Sequence, residues 1–238
     1  MRLRFFIQDL PSPPARLTLS GDELHHARVT RVRENEEVEL FDGRGHAALG
    51  RAVEVSREKV AIDVIGETTA ARESPVAIEL AMSLIQLEKF ELVLQKASEL
   101  GVSRLIPLIA RRGEVPAERI RSRADRWKKI VQEAVKQSGR CVFPMLDEPR
   151  SLEDLLRDDI VHIVFDSEEV ASASPQTFSS ARIYIGPEGG WSDEELAAAR
   201  THGAVFHRLG PRRLRAETAA ISALSIIAWR YGDLSLSV

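Results

Sequence analysis

The strongest constraint on this chain is a change of rhythm at Thr68-Thr-Ala-Ala-Arg-Glu-Ser-Pro75, a polar stretch closed by a proline. Before it, Leu17-Thr-Leu19, Glu37 to Phe41, Ala47 to Val55 and Lys59 to Ile65 alternate or nearly alternate apolar and polar residues. That is the period of half-buried strands. Turn signals at Glu34-Asn35, Asp42-Gly43 and Arg57-Glu58 separate them, and short strands at close spacing predict a small β-barrel. A short helix is expected at Gly21 to Arg28, with Ser20 as its N-cap. After the boundary, strands and helices alternate. Strands are predicted at Val76–Ser83, Arg104–Ile109, Ile160–Phe165, Arg182–Gly186 and Ala204–Leu209. Helices are predicted at Glu88–Leu100, Pro116–Ser138, Asp193–Thr201 and Ala216–Tyr231. Such alternation calls for a mostly parallel sheet covered by helices, so the chain reads as α/β in its second part.

Composition narrows the function classes. No apolar run approaches the roughly 20 residues that span a bilayer, and the start of the chain does not read as a secretory leader. One cysteine, Cys141, makes neither an internal disulfide nor a cysteine-based zinc site, which fits a reducing cytoplasm. The net charge of −3 does not announce a nucleic-acid binder, so a polyanion must be met by local patches. Of the 33 basic residues 27 are arginine, which reflects either genomic base composition or the use of arginine's planar fork on phosphates and bases.

Two segments carry the densest chemistry. In Ile183-Tyr-Ile-Gly-Pro-Glu-Gly-Gly-Trp-Ser192, a strand runs into a loop with three glycines, and Ser192 with Glu195 forms a capping box for the next helix. Gly186, Gly189 and Gly190 let backbone groups approach a ligand with no Cβ in the way, at the strand end where open α/β sheets bind ligands. The loop has neither the Walker lysine nor the dinucleotide glycine spacing, so a triphosphate is not the favoured ligand. In Leu209-Gly-Pro-Arg-Arg-Leu-Arg-Ala-Glu-Thr-Ala-Ala220, Arg212, Arg213 and Arg215 crowd a helix N-terminus, against the preference of its dipole for anions. That cost points to an anion to be held. The helices at Glu88–Gly101 and Gln132–Arg140 look like scaffolding, and the run from Arg111 to Lys129 is either a solvated face or an RNA-facing rim. His25-His26 lacks acidic or cysteine partners at ligand spacing, so no metal site is expected there.

Taken in order, Phe41-Asp-Gly43, Glu73-Ser-Pro75, Gln95-Lys-Ala-Ser-Glu-Leu-Gly-Val102, Gln137-Ser-Gly-Arg140, Ile185-Gly-Pro-Glu-Gly-Gly190 and Leu209-Gly-Pro-Arg-x-Leu-Arg-x-Glu-Thr-Ala219 resemble the bacterial ribosomal RNA small subunit methyltransferase E family over nearly the whole chain. The resemblance implies a PUA-like RNA-binding β-barrel over residues 1–70 and a SPOUT-type α/β methyltransferase domain with a C-terminal trefoil knot over 75–238. It implies transfer of the methyl of S-adenosylmethionine to N3 of a uridine in 16S rRNA of the small ribosomal subunit, by a cytoplasmic homodimer with no metal. The cofactor contacts implied are Phe165 (with Asp166 beside it), Ile185, Gly186, Pro187, Glu188, Gly189, Gly190, Leu209, Gly210, Leu214, Arg215, Thr218 and Ala219. The RNA contacts implied are Arg28, Arg31, Lys96, Arg112, Arg140 and Arg212. Arg215 and Glu217 are expected at the reaction centre, because N3 of uracil is a weakly acidic imide that needs a base or a stabiliser of its anion. Four positions depart from the family's pattern: Gln86-Leu87 where a basic residue and glycine are expected, Lys136, and Asn35 in place of a turn glycine. A related enzyme acting on ribose 2′-OH or tRNA, or a non-catalytic RNA-binding protein, would present much of the same pattern.

Overall fold

The computed structural model describes residues 2–68, 73–113, 115, 122–168 and 176–235. The expected helix start at 116–121 lies outside them. The chain divides into two compact units, residues 1–73 with 135–143, and residues 74–134 with 144–238. The first unit thus takes back a nine-residue segment from far along the chain, which the change of rhythm at residues 68–75 does not reveal.

The first unit contains β1 (Leu3–Phe6), β2 (Ala15–Thr18), α1 (Gly21–Val29), β3 (Glu37–Phe41), β4 (Ala47–Val55) and β5 (Val60–Thr68). They form one five-stranded sheet in the order β1-β3-β4-β5-β2, parallel only between β1 and β3. Alternation does its work here: Val38 and Leu40 of β3 and Ile62 and Val64 of β5 point into a core that also takes Phe5, Leu19 and Ala27. Strand β1 is hidden from periodicity by Arg4, a charged residue that is only 5% exposed. Its guanidinium donates to the carbonyls of Val135 (3.2 Å), Lys136 (3.0 Å) and Arg140 (2.9 Å) and pairs with Glu39 at 2.8 Å. A cation on the last carbonyls of a helix satisfies orphan acceptors and suits the dipole, and that is what fixes the 135–143 segment.

Helix α1 ends in a Schellman turn: Arg31 N–H donates to Arg28 O (3.2 Å) and Val32 N–H to Ala27 O (3.1 Å). The helices closed by Gly101 and Gly203 end the same way, with those glycines at φ +84° and +72°. In α1 the left-handed position is held by Arg31 at φ +57°, where a Cβ is strained. Ser20 stands at the N-cap of α1 but its side chain makes no capping bond, so the expected cap is positional only. Arg31→Gly is expected to stabilise the protein by about 0.5–1 kcal/mol, the relieved strain less the extra chain entropy of glycine, read as a higher urea midpoint. A lower midpoint would show that the Arg31 side chain itself stabilises the turn.

The second unit alternates strand and helix as expected: β6 (Ala77–Ser83), α2 (Leu87–Glu99), β7 (Arg104–Ile109), α3 (Ala124–Ser138), β8 (Met145–Leu146), β9 (Arg150–Ser151), α4 (Leu152–Leu155), β10 (Val161–Phe165), β11 (Ser180–Ile185), α5 (Asp193–Thr201), β12 (Val205–His207) and α6 (Ala216–Tyr231). Its sheet is parallel throughout, in the order β12-β10-β11-β6-β7-β8, with β9 also on β7. Both faces are covered, so the strands read as near-continuous apolar runs. On one face Ile78, Leu80, Met82, Ile183 and Ile185 pack with α2, α3 and α6; on the other Ala81, Val164 and Tyr184 pack with α4 and α5. Helix α2 buries Phe90, Val93, Leu94 and Ala97, a stripe at helical spacing. In α3, Trp127 and Val131 join this core, while Val135 belongs to a cluster of the first unit.

Toward the amino ends of the strands lies a buried charge network. Arg182, 1% exposed, pairs with Glu79 (2.6 Å) and Asp158 (2.7 Å) and donates to Leu155 O (2.8 Å). Beside it the Tyr184 hydroxyl and His162 Nδ1 lie 2.8 Å apart, and burial pushes the tyrosine up and the histidine down from their ordinary pKa values.

Candidate functional site

Three neighbouring strands of the parallel sheet end level with one another. The register sets Phe165 of β10 beside Ile185 of β11 and His207 of β12. The segments that leave these ends, Asp166-Ser167, Gly186 to Trp191 and Arg208 to Ala219, border one cleft open to solvent, with about 670 Å³ of atom-free space. Carboxyl ends of adjacent parallel strands are where an α/β sheet leaves a crevice.

Short bonds tie the three segments together. Trp191 Nε1 donates to Phe165 O at 3.1 Å, and the ring lies so close under Gly186 that a Cβ there would sit 2.9 Å from it. Asp166 N–H donates to His207 O (3.1 Å), and Gly190 N–H to Pro187 O (2.9 Å). Gly190 and Gly210 hold φ +71° and +78°, and a Cβ on either would meet nothing within 4 Å. Arg213 donates to Glu188 O (3.0 Å), Arg208 to Gly210 O (3.1 Å) and Arg112 to Gly189 O (3.3 Å). The Glu188 carboxylate meets Lys89 Nζ at 3.1 Å. Ser192 and Glu195 form the expected capping box, and Glu195 also accepts the Arg111 N–H (2.9 Å). His207, behind the cleft and 5.8 Å from the Phe165 ring, is pushed below its ordinary pKa by burial and then by the Arg230 charge.

Most residues expected to contact a cofactor line this cleft: Phe165, Ile185, Gly186, Pro187, Glu188, Gly190, Leu209, Gly210, Leu214 and Ala219. Gly189, Arg215 and Thr218 do not, and neither does Glu217, though Ala216 and Ala219 on either side of them do. Arg215 is the exposed N-cap of α6. Glu217 Oε2 is buried with no hydrogen-bond partner among the described residues. Ser167, Trp191, Arg208 and Ala216 join the lining without having been singled out. Trp191 had one legible signal, an indole N–H that must find an acceptor once the ring is buried.

The expected RNA contacts divide. Arg28, Arg31, Arg112 and Arg212 are exposed, and Arg212 lines the cleft. Lys96 pairs with Glu99 one turn along its own helix at 3.0 Å. Arg140 must be corrected: it is 3% exposed and sets two nitrogens on Glu73 Oε2, at 2.9 and 2.7 Å, while Glu73 Oε1 accepts the N–H groups of Cys141 and Val142. Its motif and the Glu73-Ser-Pro75 motif meet to hold the first unit together, so the side chain does not face a ligand. Among the described residues no group of three or more His, Cys, Asp or Glu side chains is placed to hold a metal ion, and no helix is long and apolar enough to cross a membrane.

Comparison with known proteins matches most of the chain. A family model described as an RNA methyltransferase domain matches residues 72–228, and one described as an RNA methyltransferase PUA domain matches 19–65. Ribosomal RNA small subunit methyltransferase E of Bacillus subtilis is 32% identical over 248 residues, covering 95% of this chain and 96% of its own. The protein of the same name from Aquifex aeolicus is 29% identical, covering 89% and 93%. The crystal structure of ribosomal RNA small subunit methyltransferase E from Neisseria gonorrhoeae bound to S-adenosyl methionine superimposes with a TM-score of 0.91 over 99% of this chain and 100% of that one, at 29% identity. With the sheet order, the cleft-forming motifs and these matches in agreement, the chain belongs to the ribosomal RNA small subunit methyltransferase E family.

Proposed function

We propose that this protein transfers the methyl group of S-adenosylmethionine to N3 of a uridine in 16S rRNA of the small ribosomal subunit. The observation that carries the reading is the meeting of three strand-end segments, two of them the most specific motifs in the sequence, around one cleft. The residues fit the cofactor. Phe165, Ile185, Leu209, Leu214 and Ala219 offer apolar surface for a flat purine, and Arg208 and Arg212 offer positive charge for a carboxylate. Left-handed Gly190 and Gly210 leave backbone groups open to it. When bound, the cofactor supplies an electrophilic methyl on a sulfonium centre.

The rest falls to the protein's own groups. Holding the base and the methyl donor in line is the principal contribution, a matter of positioning. Glu217, whose Oε2 lacks a donor, accepts the N3 proton, and the Arg215 guanidinium stabilises negative charge on a uracil carbonyl oxygen. Both stand in or just before the first turn of α6 rather than in the cleft lining, so the uridine enters from that side, unpaired or flipped from its stack. Residues 1–70 act as a PUA-like barrel that binds RNA, with Arg28 and Arg31 on phosphates, and residues 75–238, apart from the 135–143 segment that joins the first unit, as a SPOUT domain with a trefoil knot. The protein acts as a homodimer. Ile226 and Trp229 of α6, 48% and 63% exposed, with Leu92 of the packed helix α2, give a second copy an apolar face.

The test is incubation with labelled S-adenosylmethionine and small subunits lacking the modification, followed by digestion and mass spectrometry of the nucleosides. Label in N3-methyluridine at one site is expected. Label in a 2′-O-methyl nucleoside would keep the cofactor and change the target atom, and no label would overturn the proposal. Unchanged turnover in both Arg215→Ala and Glu217→Gln would remove those two side chains from it.

A further inference from the structure

Three cations reach the same two residues from three separate segments. Lys89, in the first turn of α2, meets the Glu188 carboxylate at 3.1 Å. Arg213, beyond β12, donates to the Glu188 carbonyl at 3.0 Å, and Arg112, beyond β7, to the Gly189 carbonyl at 3.3 Å. Arg111 shows the contrast: it has carboxylates at Glu153 (3.3 Å) and Glu194 (3.8 Å). Among the described residues Arg112 and Arg213 have no carboxylate within ion-pair distance, and both are exposed. Each spends a donor on a neutral carbonyl and keeps the rest of a five-donor fork toward solvent. The negative charge set among these three cations is Glu188, whose side chain is 60% exposed.

We infer that Lys89, Arg112 and Arg213 form a subsite for an RNA backbone phosphate laid across residues 188–189, and that the Glu188 carboxylate occupies it until RNA arrives. This rests on the proposed action on RNA. A lysine–carboxylate pair whose carboxylate stands in solvent, as here with Lys89 at 28% and Glu188 at 60% exposure, is weak and screened by salt. A phosphodiester offers arginine two charge-assisted acceptors in the geometry its fork matches, so it displaces Glu188 from Lys89 while the backbone carbonyls keep their donors. Because Glu188 also lines the cleft, arrival of RNA moves a cleft residue: occupation of the phosphate subsite and the shape of the cofactor loop are one event.

The test uses the full chain, with calorimetry for S-adenosylmethionine and fluorescence anisotropy of a single-stranded oligouridylate over a salt series. Glu188→Gln removes the competing charge and is expected to bind the oligouridylate about threefold tighter. Arg112→Gln and Arg213→Gln keep a donor for the loop but lose the charge. Each is expected to weaken RNA binding about tenfold and to flatten the log–log salt dependence by about 0.7. Glu188→Gln binding no tighter than wild type, unchanged salt slopes in the arginine variants, or a wild-type chain that takes S-adenosylmethionine but no RNA each overturn the subsite. Absent S-adenosylmethionine binding, with RNA affinity still following the three substitutions, would keep the subsite and overturn the proposed enzyme.

Discussion

Gly186→Ala is expected to weaken S-adenosylmethionine binding roughly 5–150-fold, the equivalent of about 1–3 kcal/mol of overpacking. The added methyl would sit 2.9 Å from Trp191 Cε2 and 3.2 Å from its Cδ2 and Nε1. That ring cannot swing aside cheaply, because it is 4% exposed and its Nε1 is bonded to Phe165 O. Either the glycine loop lifts off the indole or the indole moves and releases the end of β10. Both outcomes displace cleft residues, so a methyl outside the ligand's own volume is felt as lost affinity. Gly66→Ala is the control, since its Cβ would meet nothing within 4 Å and its φ lies outside the left-handed region. Calorimetric affinity within twofold of wild type for Gly186→Ala would show that Trp191 does not set the loop.

Arg182→Ala is expected to destabilise the protein by about 3–5 kcal/mol, near the lower figure because Asp158 is 37% exposed and can be rehydrated. The loss comes less from missing attraction than from what stays behind: Glu79 loses its 2.6 Å partner and the Leu155 carbonyl its donor inside the fold. A fall in melting temperature of roughly 10 °C follows for a chain of this size. The network lies toward the opposite ends of the strands from the cleft, so S-adenosylmethionine affinity measured well below the transition should be unchanged. A drop of only a degree or two would mean that water or Arg104, itself 3.8 Å from Glu79, takes over.

These two residues mark what a sequence shows and what it hides. Gly186 was legible, since three glycines at a strand end announce close approach of backbone to something, and alternation placed the strand correctly. Arg182 reads simply as a strand residue, because nothing in period or composition says that Glu79, some hundred positions earlier, shares its face. The same limit hid β1: a buried arginine breaks the apolar pattern that would mark the strand, and its backbone acceptors lie more than 130 residues away. Arg140 fell on the wrong side for a related reason. An arginine in a motif invites a ligand, and only the fold shows that its partner is Glu73. In the cleft, sequence order put the glycine and Leu-Gly-Pro-Arg segments together, while strand register decided which of their residues face inward.

The return of residues 135–143 to the first unit also bears on how the chain can be cut and made. Synthesis runs from the amino end, yet Phe41 and Ala47 share a cluster with Val135 and Cys141, and Arg4 waits for carbonyls at 135, 136 and 140. The unit that begins first therefore finishes late, after the 61 residues 74–134 of its neighbour have passed. Any break between residues 74 and 134 leaves the parts of one core on different fragments. The molecule is divisible by shape but not by a single scission, and two such fragments would find each other through the unfinished half of the first.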